Sequence, residues 1–517
     1  MTMKRITLTL LAFLLCFNVF SQSKVFDNVV DIELRSSVEI TNNKQIVGYA
    51  LFYKIDKMKK AAMYRLSILD ENLKEIGSNE FEGGKDLELR RAVYESNHLL
   101  LSFYDKNKHD DYERFVKIFD LKGKETGMIP YDPEKVKKGM FGAAAAAQME
   151  QIYEGTDNIE SKGFITVYQS KAKTGGVDIQ MIDNNGKLKW EKNITADKGD
   201  RADLYLLSTT PNTAIFFEMD RGSIMARDAE IFLVGLSVTD GKQLFKKPMD
   251  IKGITYEPML IKKASDGTLK IVSTMANEDA KFANAKPIGF SIGDLNDLTG
   301  EIKTLKDFNY LNDLSGVLEM KNASKSEEGY IKAHDILIMQ DGSMVMVGEF
   351  FRKTVSAAGT AIKVFAALAG GGVSNSGGSQ ATIEDMFLLR INNKFQATAL
   401  EKIEKDKERV PMPTDGIPIG LMARLLTYGH DFGYMYTDEG LDGKNKTVLA
   451  KGSFGEEKYG TVALTIDEKK GFSTKRFNLE KEKKVSYYVL RAKPGYVMIM
   501  KYNSKEKTLN INLEKVN

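Results

Sequence analysis

From Val38 onward the chain alternates short apolar and aromatic runs with clusters of turn-forming residues, and no long helical periodicity dominates. The runs pair as hairpins. Val38–Tyr53 turns at Asn42-Asn43, Ala92–Tyr104 at Ser96-Asn97, Tyr205–Phe217 at Pro211-Asn212 and Met259–Thr274 at Asp266-Gly267. The pattern returns at Ile336–Phe350 around Asp341-Gly342, at Leu425–Tyr436 around His430-Asp431 and at Tyr487–Tyr502 around Pro494-Gly495. A looser copy ends in Gly163–Tyr168. These residue types suit tight turns because they adopt a positive φ or preset a negative one. A third strand follows each hairpin, then usually a second turn and a fourth strand. Tyr64–Leu69 leads to Asp70-Glu71-Asn72, and Phe115–Phe119 leads to Asp120–Gly123.

About eight such units predict an all-β fold, a single β-propeller with four-stranded blades arranged radially. Val29–Leu34 is the expected outer strand of the last blade, so that the two chain ends share a sheet and leave no long open edge. The strand-like run Thr447–Phe454 makes seven blades the competing count. Two tandem β-sandwiches would need a linker near the middle, and no Pro/Ser-rich stretch stands there. Eight units across residues 22–517 run to about 62 residues each, longer than the roughly 40–45 of a WD40 blade, so the excess must lie in loops.

The first 21 residues have a different pattern. Lys4 and Arg5 precede the apolar stretch Ile6–Phe20, and Val19 and Ser21 occupy the −3 and −1 positions of a signal-peptidase site. The expected division is a signal peptide at 1–21 and a propeller at 22–517, with insertions at 128–151 and 353–384. Export then places the protein in the periplasm or outside the cell. Cys16, the only cysteine, follows Leu14-Leu15 and does not fit a lipidation site. With the leader gone, no thiol remains for a disulfide, a nucleophile or a metal. No later segment is long and apolar enough for a transmembrane helix.

Composition is ordinary for a globular chain of 517 residues: 42% hydrophobic, 28% charged, 10 Pro and 43 Gly, which excludes collagen-like and disordered classes. The 74 Lys and Arg against 71 Asp and Glu give +3. Losing Lys4 and Arg5 brings the exported chain to about +1, no basis for nucleic-acid binding.

Two third-strand turns, Ile182-Asp183-Asn184-Asn185-Gly186-Lys187-Leu188-Lys189-Trp190 and Val238-Thr239-Asp240-Gly241-Lys242-Gln243-Leu244-Phe245, resemble the blades of quinoprotein-type propellers. Thr299-Gly300-Glu301 matches the middle of that motif. Trp190 is the sole tryptophan, so the resemblance implies the architecture without the quinone, and no cofactor is expected. Through Phe20-Ser21-Gln22 and its Lys/Tyr-rich strands, the chain also resembles uncharacterised secreted proteins of Bacteroidota. That resemblance implies a cell-envelope location. A C-terminal secretion-sorting domain does not suit Gly495–Asn517, which reads as the last hairpin and strand.

In a propeller the turns between first and second strands and between third and fourth strands share one face. The tight turns belong to that set. The long segments Met128–Gln151, Asp307–Ala333, Lys353–Glu384, Lys405–Gly420 and Thr437–Gly460 are assigned to the opposite face, around the channel mouth, where a rigid scaffold presents binding loops. A helix is predicted through Ala143–Tyr153, because alanine is the best helix former. Another apolar stretch, Lys353–Gly372, precedes the Gly/Ser tract Gly370–Ser379. It reads first as helical structure packed over the channel mouth, and alternatively as a mobile lid or a docking helix for a partner or a membrane surface.

Chemical motifs are sparse. His98, His109, His334 and His430 lack metal-ligand spacing and read as solvated turn or strand-end residues. Asp294–Glu301 has oxygens at calcium-like intervals but departs from the EF-hand loop after its first half and reads as a turn. No nucleophile elbow or phosphate-binding loop is present. No catalytic, cofactor or metal residue is therefore named. The expected function is a non-enzymatic envelope binding or scaffold protein that recognises a protein or glycan through its loop face. The alternative is a carbohydrate-active hydrolase or lyase with carboxylates converging in the central channel.

Overall fold

In the computed structural model, eight antiparallel sheets account for nearly all strands. The structure describes residues 22–516 apart from 33–36, 43–44, 107–111, 132–154, 171–175, 196–200, 222–228, 265, 278–285, 323–324, 327, 356–378, 413–418, 430, 439–445, 455–459, 468–470, 478 and 480–481. In chain order the sheets form blades 1 to 8 at 38–84, 88–131, 155–194, 201–248, 250–309, 330–411, 434–477 and 485–515. Each is an up-and-down meander. The first long strand of each blade, in blade 5 Ile254–Lys263, touches its counterpart in series from blade 8 through blade 1 to blade 6, and these strands so line the axis.

Because strand side chains alternate between two faces, each blade is apolar on both sides and needs a neighbour on both sides. The core is accordingly divided into eight seams, one between each successive pair of blades. The seam that closes the ring sets Tyr49, Leu51 and Leu69 of blade 1 against Met498, Met500 and Ile511 of blade 8. The fold is an eight-bladed β-propeller.

Ser23–Phe26 completes blade 8 by pairing antiparallel with Thr508–Lys515, Val25 opposite Asn510 and Phe26 opposite Leu509. The expected closing strand, Val29–Leu34, does not have this role. Val29 is wholly buried in the closing seam, and Val30 and Asp31 hydrogen-bond to Lys54 of blade 1. An outer strand buries one side only, so the short Ser23–Phe26 with its single core residue Phe26 suffices. The more apolar Val29-Val30 is used where the chain crosses from the rim towards the axis.

A second correction concerns blade 7. Leu425–Tyr436 is not a hairpin. A helix, α1 (Ile419–Tyr428), comes first, then the strand Tyr434–Asp438, which pairs with Lys446–Gly452. Met422 and Leu426, four residues apart on one helical face, are both fully buried. The run at 447–454, which blurred the blade count, is thus mostly the second strand of blade 7, and the count is eight.

Adjacent blades also meet at their rims. In blades 1 to 4, the outer strand reaches the turn of the next blade four residues past the positive-φ residue of the third-strand turn. In blade 3 this residue is Trp190, which donates Nε1–H to Val238 O at 2.8 Å and lies on Gly241. In blade 4 it is Phe245, packed on Gly300. In blade 2 it is Gly127, so close to Gly186 that a Cβ there would sit 2.9 Å from its Cα.

Candidate functional site

The strand order places the tight turns on one face and the long connections on the other. One reassignment is needed within Thr437–Gly460. Asp438 and Lys446 end strands on the turn face, whereas Gly452 and Gly460 end strands on the loop face. The helix expected through Ala143–Tyr153 lies outside the described residues, as does 356–378, which holds most of Lys353–Gly372. The ends of that insertion are described, and they are strand. Met344–Val355 and Ser379–Ile391 pair as far as Val355 opposite Ser379 and so rise beyond the blade.

Blade 6 is consequently two-tiered. Its fourth strand ends at Ile403. After a short break, Glu408–Pro411 takes up pairing on the raised part of Ser379–Ile391, with Glu408 opposite Ile383. Helix α1 then packs Met422 and Leu426 on Phe351, Ala381 and Ile383, a ninth apolar cluster outside the ring's eight seams. The chain returns through Phe432 and Gly433 to the first strand of blade 7.

Beneath this upper tier lies a buried ionic cluster. Glu349, on the second strand of blade 6, has no exposed surface. One carboxylate oxygen takes Lys405 Nζ at 2.7 Å, and the other takes His334 Nε2 at 3.1 Å. The backbone N–H of Gly433 donates to both oxygens, each at 2.9 Å. Burial disfavours the Glu349 carboxylate, but His334 and Lys405 together outweigh it and hold its pKa down at about 2. Burial in turn lowers the pKa of His334, so its ring stays neutral and donates Nε2–H to the carboxylate. That ring stacks on Tyr434 with centroids 5.0 Å apart and planes 4° from parallel, and Phe432 meets it edge-on at 4.8 Å. Next along the strand, Asp335 accepts from Lys262 of blade 5 at 3.0 Å and from Tyr434 of blade 7 at 3.3 Å. His334 is therefore not the solvated residue the sequence suggested. Ala333 and Asp335 flank it at a break in register, and it is buried between blades 6 and 7.

A second cluster lies between blades 3 and 4. Glu218 and Asp220 project from the same side of one strand and share Lys246 Nζ, at 3.0 and 3.3 Å. Lys246 also lies 4.3 Å from the centre of the Phe232 ring. Burial first, then the neighbouring Asp220, raises Glu218 to a pKa of about 7 against the opposing pull of Lys246. This pair is on a second strand, behind the channel-lining strand, and Glu218 is 1% exposed.

The remaining sequence candidates are quickly placed. His98 Nδ1 sits 3.0 Å from Ser96 O in its hairpin turn. His109 and His430 lie outside the described residues. In Asp294–Glu301 the oxygens are used within the protein. Asn296 Oδ1 accepts the N–H groups of Leu298 and Thr299, and Asp297 accepts from Thr210 of blade 4. The segment is a turn. Glu349 and Glu218 were missed, although the sequence signals both. Glu349 is a lone carboxylate within the apolar run Met-Val-Met-Val-Gly-Glu-Phe-Phe, and Glu218 closes the apolar run Thr-Ala-Ile-Phe-Phe-Glu, two residues before Asp220.

The pattern of a family of unknown function, DUF6770, matches residues 1–517. The chain belongs to that family. No curated protein matches it. Among solved structures, this DUF6770 chain is similar to puromycin hydrolase, with 8% identity and a TM-score of 0.39, over 82% of this chain and 53% of that one. It is also similar to the β-propeller domain of the trilobed protease from Pyrococcus furiosus, with 10% identity and a TM-score of 0.37, over 89% and 99%. A eukaryotic initiation factor follows at 8% identity and 0.33, over 85% and 90%. The DUF6770 chain thus spans about half the length of puromycin hydrolase. At these identities the likeness concerns the chain path alone. Among the described residues, no helix is long and apolar enough to cross a membrane.

Proposed function

We propose that this chain is an exported protein of the cell envelope, periplasmic or extracellular, that binds a protein or glycan through the loop face of its propeller. The asymmetry of the two faces carries the reading. Tight turns occupy one face, while the upper tier of blade 6 and helix α1 rise from the other, beside the first strands of blades 6 and 7. A scaffold closed by eight apolar seams holds such loops rigidly, which limits the entropy lost on binding. Export is supported by Lys4 and Arg5, by the apolar stretch after them, and by a first strand that starts at Ser23, two residues past the expected cleavage point.

The test uses residues 22–517 beside a variant whose 356–378 is replaced by a short Gly/Ser linker. Both are used to capture partners from envelope extracts and to probe immobilised glycans and lipid vesicles. The reading expects both proteins to fold and the variant to lose binding to a protein or glycan. Equal binding by the two removes 356–378 from the functional surface. Binding to vesicles alone replaces the proposed partner by a membrane.

A hydrolase is the second reading, and Glu218 favours it. A carboxyl group that keeps its proton to about pH 7 beside a second carboxylate is suited to general-acid chemistry. Its position off the channel makes it second. Glycan cleavage abolished by Glu218→Gln would move it to first.

A further inference from the structure

We infer that the upper tier of blade 6 is a latched unit that docks and undocks as one body, with Glu349 as the latch. The excursion that carries Glu408–Pro411 and α1 enters at Lys405 and leaves at Gly433, and both points are fastened to the same carboxylate. The entrance is further tied by Lys405 N to Asp385 at 3.0 Å and by Asp406 N to Ser453 O of blade 7 at 2.8 Å. At the exit, Lys451 N of blade 7 donates to Gly433 O at 2.7 Å. Gly433 has to be glycine here. A Cβ would stand 2.7 Å from Glu349 Oε1, 2.7 Å from Lys451 O and 3.0 Å from Lys405 Nζ.

An ionic latch behaves differently from an apolar one. Lys405 and Glu349 forfeit hydration when buried, and their attraction offsets that loss only while every partner is in place. Moving one end away therefore weakens the other, and opening the latch returns both charges to water. The cluster thus favours two states, closed or released, over gradual fraying. An apolar plug of the same volume would lose water contact and contact area continuously. The apolar underside of the tier, Met422 and Leu426 on Phe351 and Ile383, is separate from the ring's seams, so the tier can leave without opening the propeller. None of this depends on what the loop face binds.

Hydrogen exchange followed by mass spectrometry tests it in the full mature chain, for the wild type, Glu349→Gln and Gly433→Ala. The first variant removes the charge, and the second keeps every charge but puts a methyl group into the latch. The expected result is at least a tenfold acceleration in peptides covering 405–412 and 419–433, in one correlated step, with 98–106 and 213–221 unchanged. Independent acceleration of the two segments overturns the single body. No acceleration, or acceleration spread evenly through the ring, overturns the latch. If Glu349→Gln does not fold, Gly433→Ala alone decides by the same criteria.

Discussion

Glu349 of blade 6 and Glu218 of blade 4 both stand on second strands, both are buried, and each is served by a lysine. Around Glu349 one carboxylate has a lysine, a neutral histidine and a backbone N–H to itself, and burial loses to this set of donors. Around Glu218 one lysine is divided between two carboxylates, so burial and the neighbouring charge win and a proton stays bound. The same pair of residue types therefore gives a fixed anion in one seam and a titrating acid in the other. What differs is the ratio of donors to carboxylates, and only at Glu349 is a moving segment of chain among the donors.

The largest effect should come from a change that treats both seams alike. Removing residues 22–26 leaves Thr508–Lys515 as an open edge and takes Phe26 from the closing seam. Stability should fall by more than about 4 kcal/mol in chemical denaturation, with protection lost in blades 4 and 6 together. An unchanged midpoint would mean that the ring does not need closure.

Next, Glu349→Gln strands Lys405 without its counter-charge and should cost about 3–5 kcal/mol, whereas Glu349→Leu combined with Lys405→Met should recover most of that loss. Equal damage from the single and the double variant would show that packing, not charge, dominates this seam.

Glu218→Gln is smaller and depends on pH. The folded pKa of Glu218 lies above its ordinary value, so the folded state keeps a proton that the unfolded chain releases between about pH 4.5 and 7. Its contribution is full below that window and is lost as pH rises through 7. The amide cannot titrate, so relative to the wild type Glu218→Gln should gain about 3 kcal/mol on going from pH 4.5 to pH 8. A constant difference across that range would contradict the raised pKa of Glu218.

His334 gives the smallest effect, and its sign is opposite. Its folded pKa lies below the ordinary 6.5, so its contribution is present above pH 6.5 and lost as pH falls. His334→Gln should make the fall in stability between pH 7 and pH 5 shallower than in the wild type. The slopes of Glu218 and His334 partly cancel in the wild type, so the double variant should be the flattest of the four proteins. A steeper double variant would break the comparison.

Much of the fold was legible because strand alternation and turn chemistry are local. Asn-Asn, Asp-Gly and Pro-Gly pairs marked the hairpins of blades 1, 5, 6 and 8, and Ser-Asn and Pro-Asn those of blades 2 and 4. Ser23–Phe26 was not legible, because four residues with one buried side chain carry too little periodicity and Val29-Val30 is the more apolar neighbour. Helix α1 was read as a strand because it is short and the turn formers Gly429, His430 and Asp431 follow it directly. The Glu349 cluster joins residues as far apart in sequence as His334 and Tyr434, so its partners depend on how blades 6 and 7 meet, and no spacing rule reports that. Trp190 was visible as an oddity, but its contact with Gly241 depends on the next blade's turn.

Opposite protonation of the two buried glutamates is tested most directly by carboxyl-carbon NMR of protein labelled at glutamate, with Glu218→Gln and Glu349→Gln as the assignments. One resonance should titrate near pH 7 and vanish in Glu218→Gln, while the one that vanishes in Glu349→Gln should remain that of a carboxylate down to about pH 3. If both instead titrate near 4.5, like exposed glutamates, the contrast between the two seams is wrong.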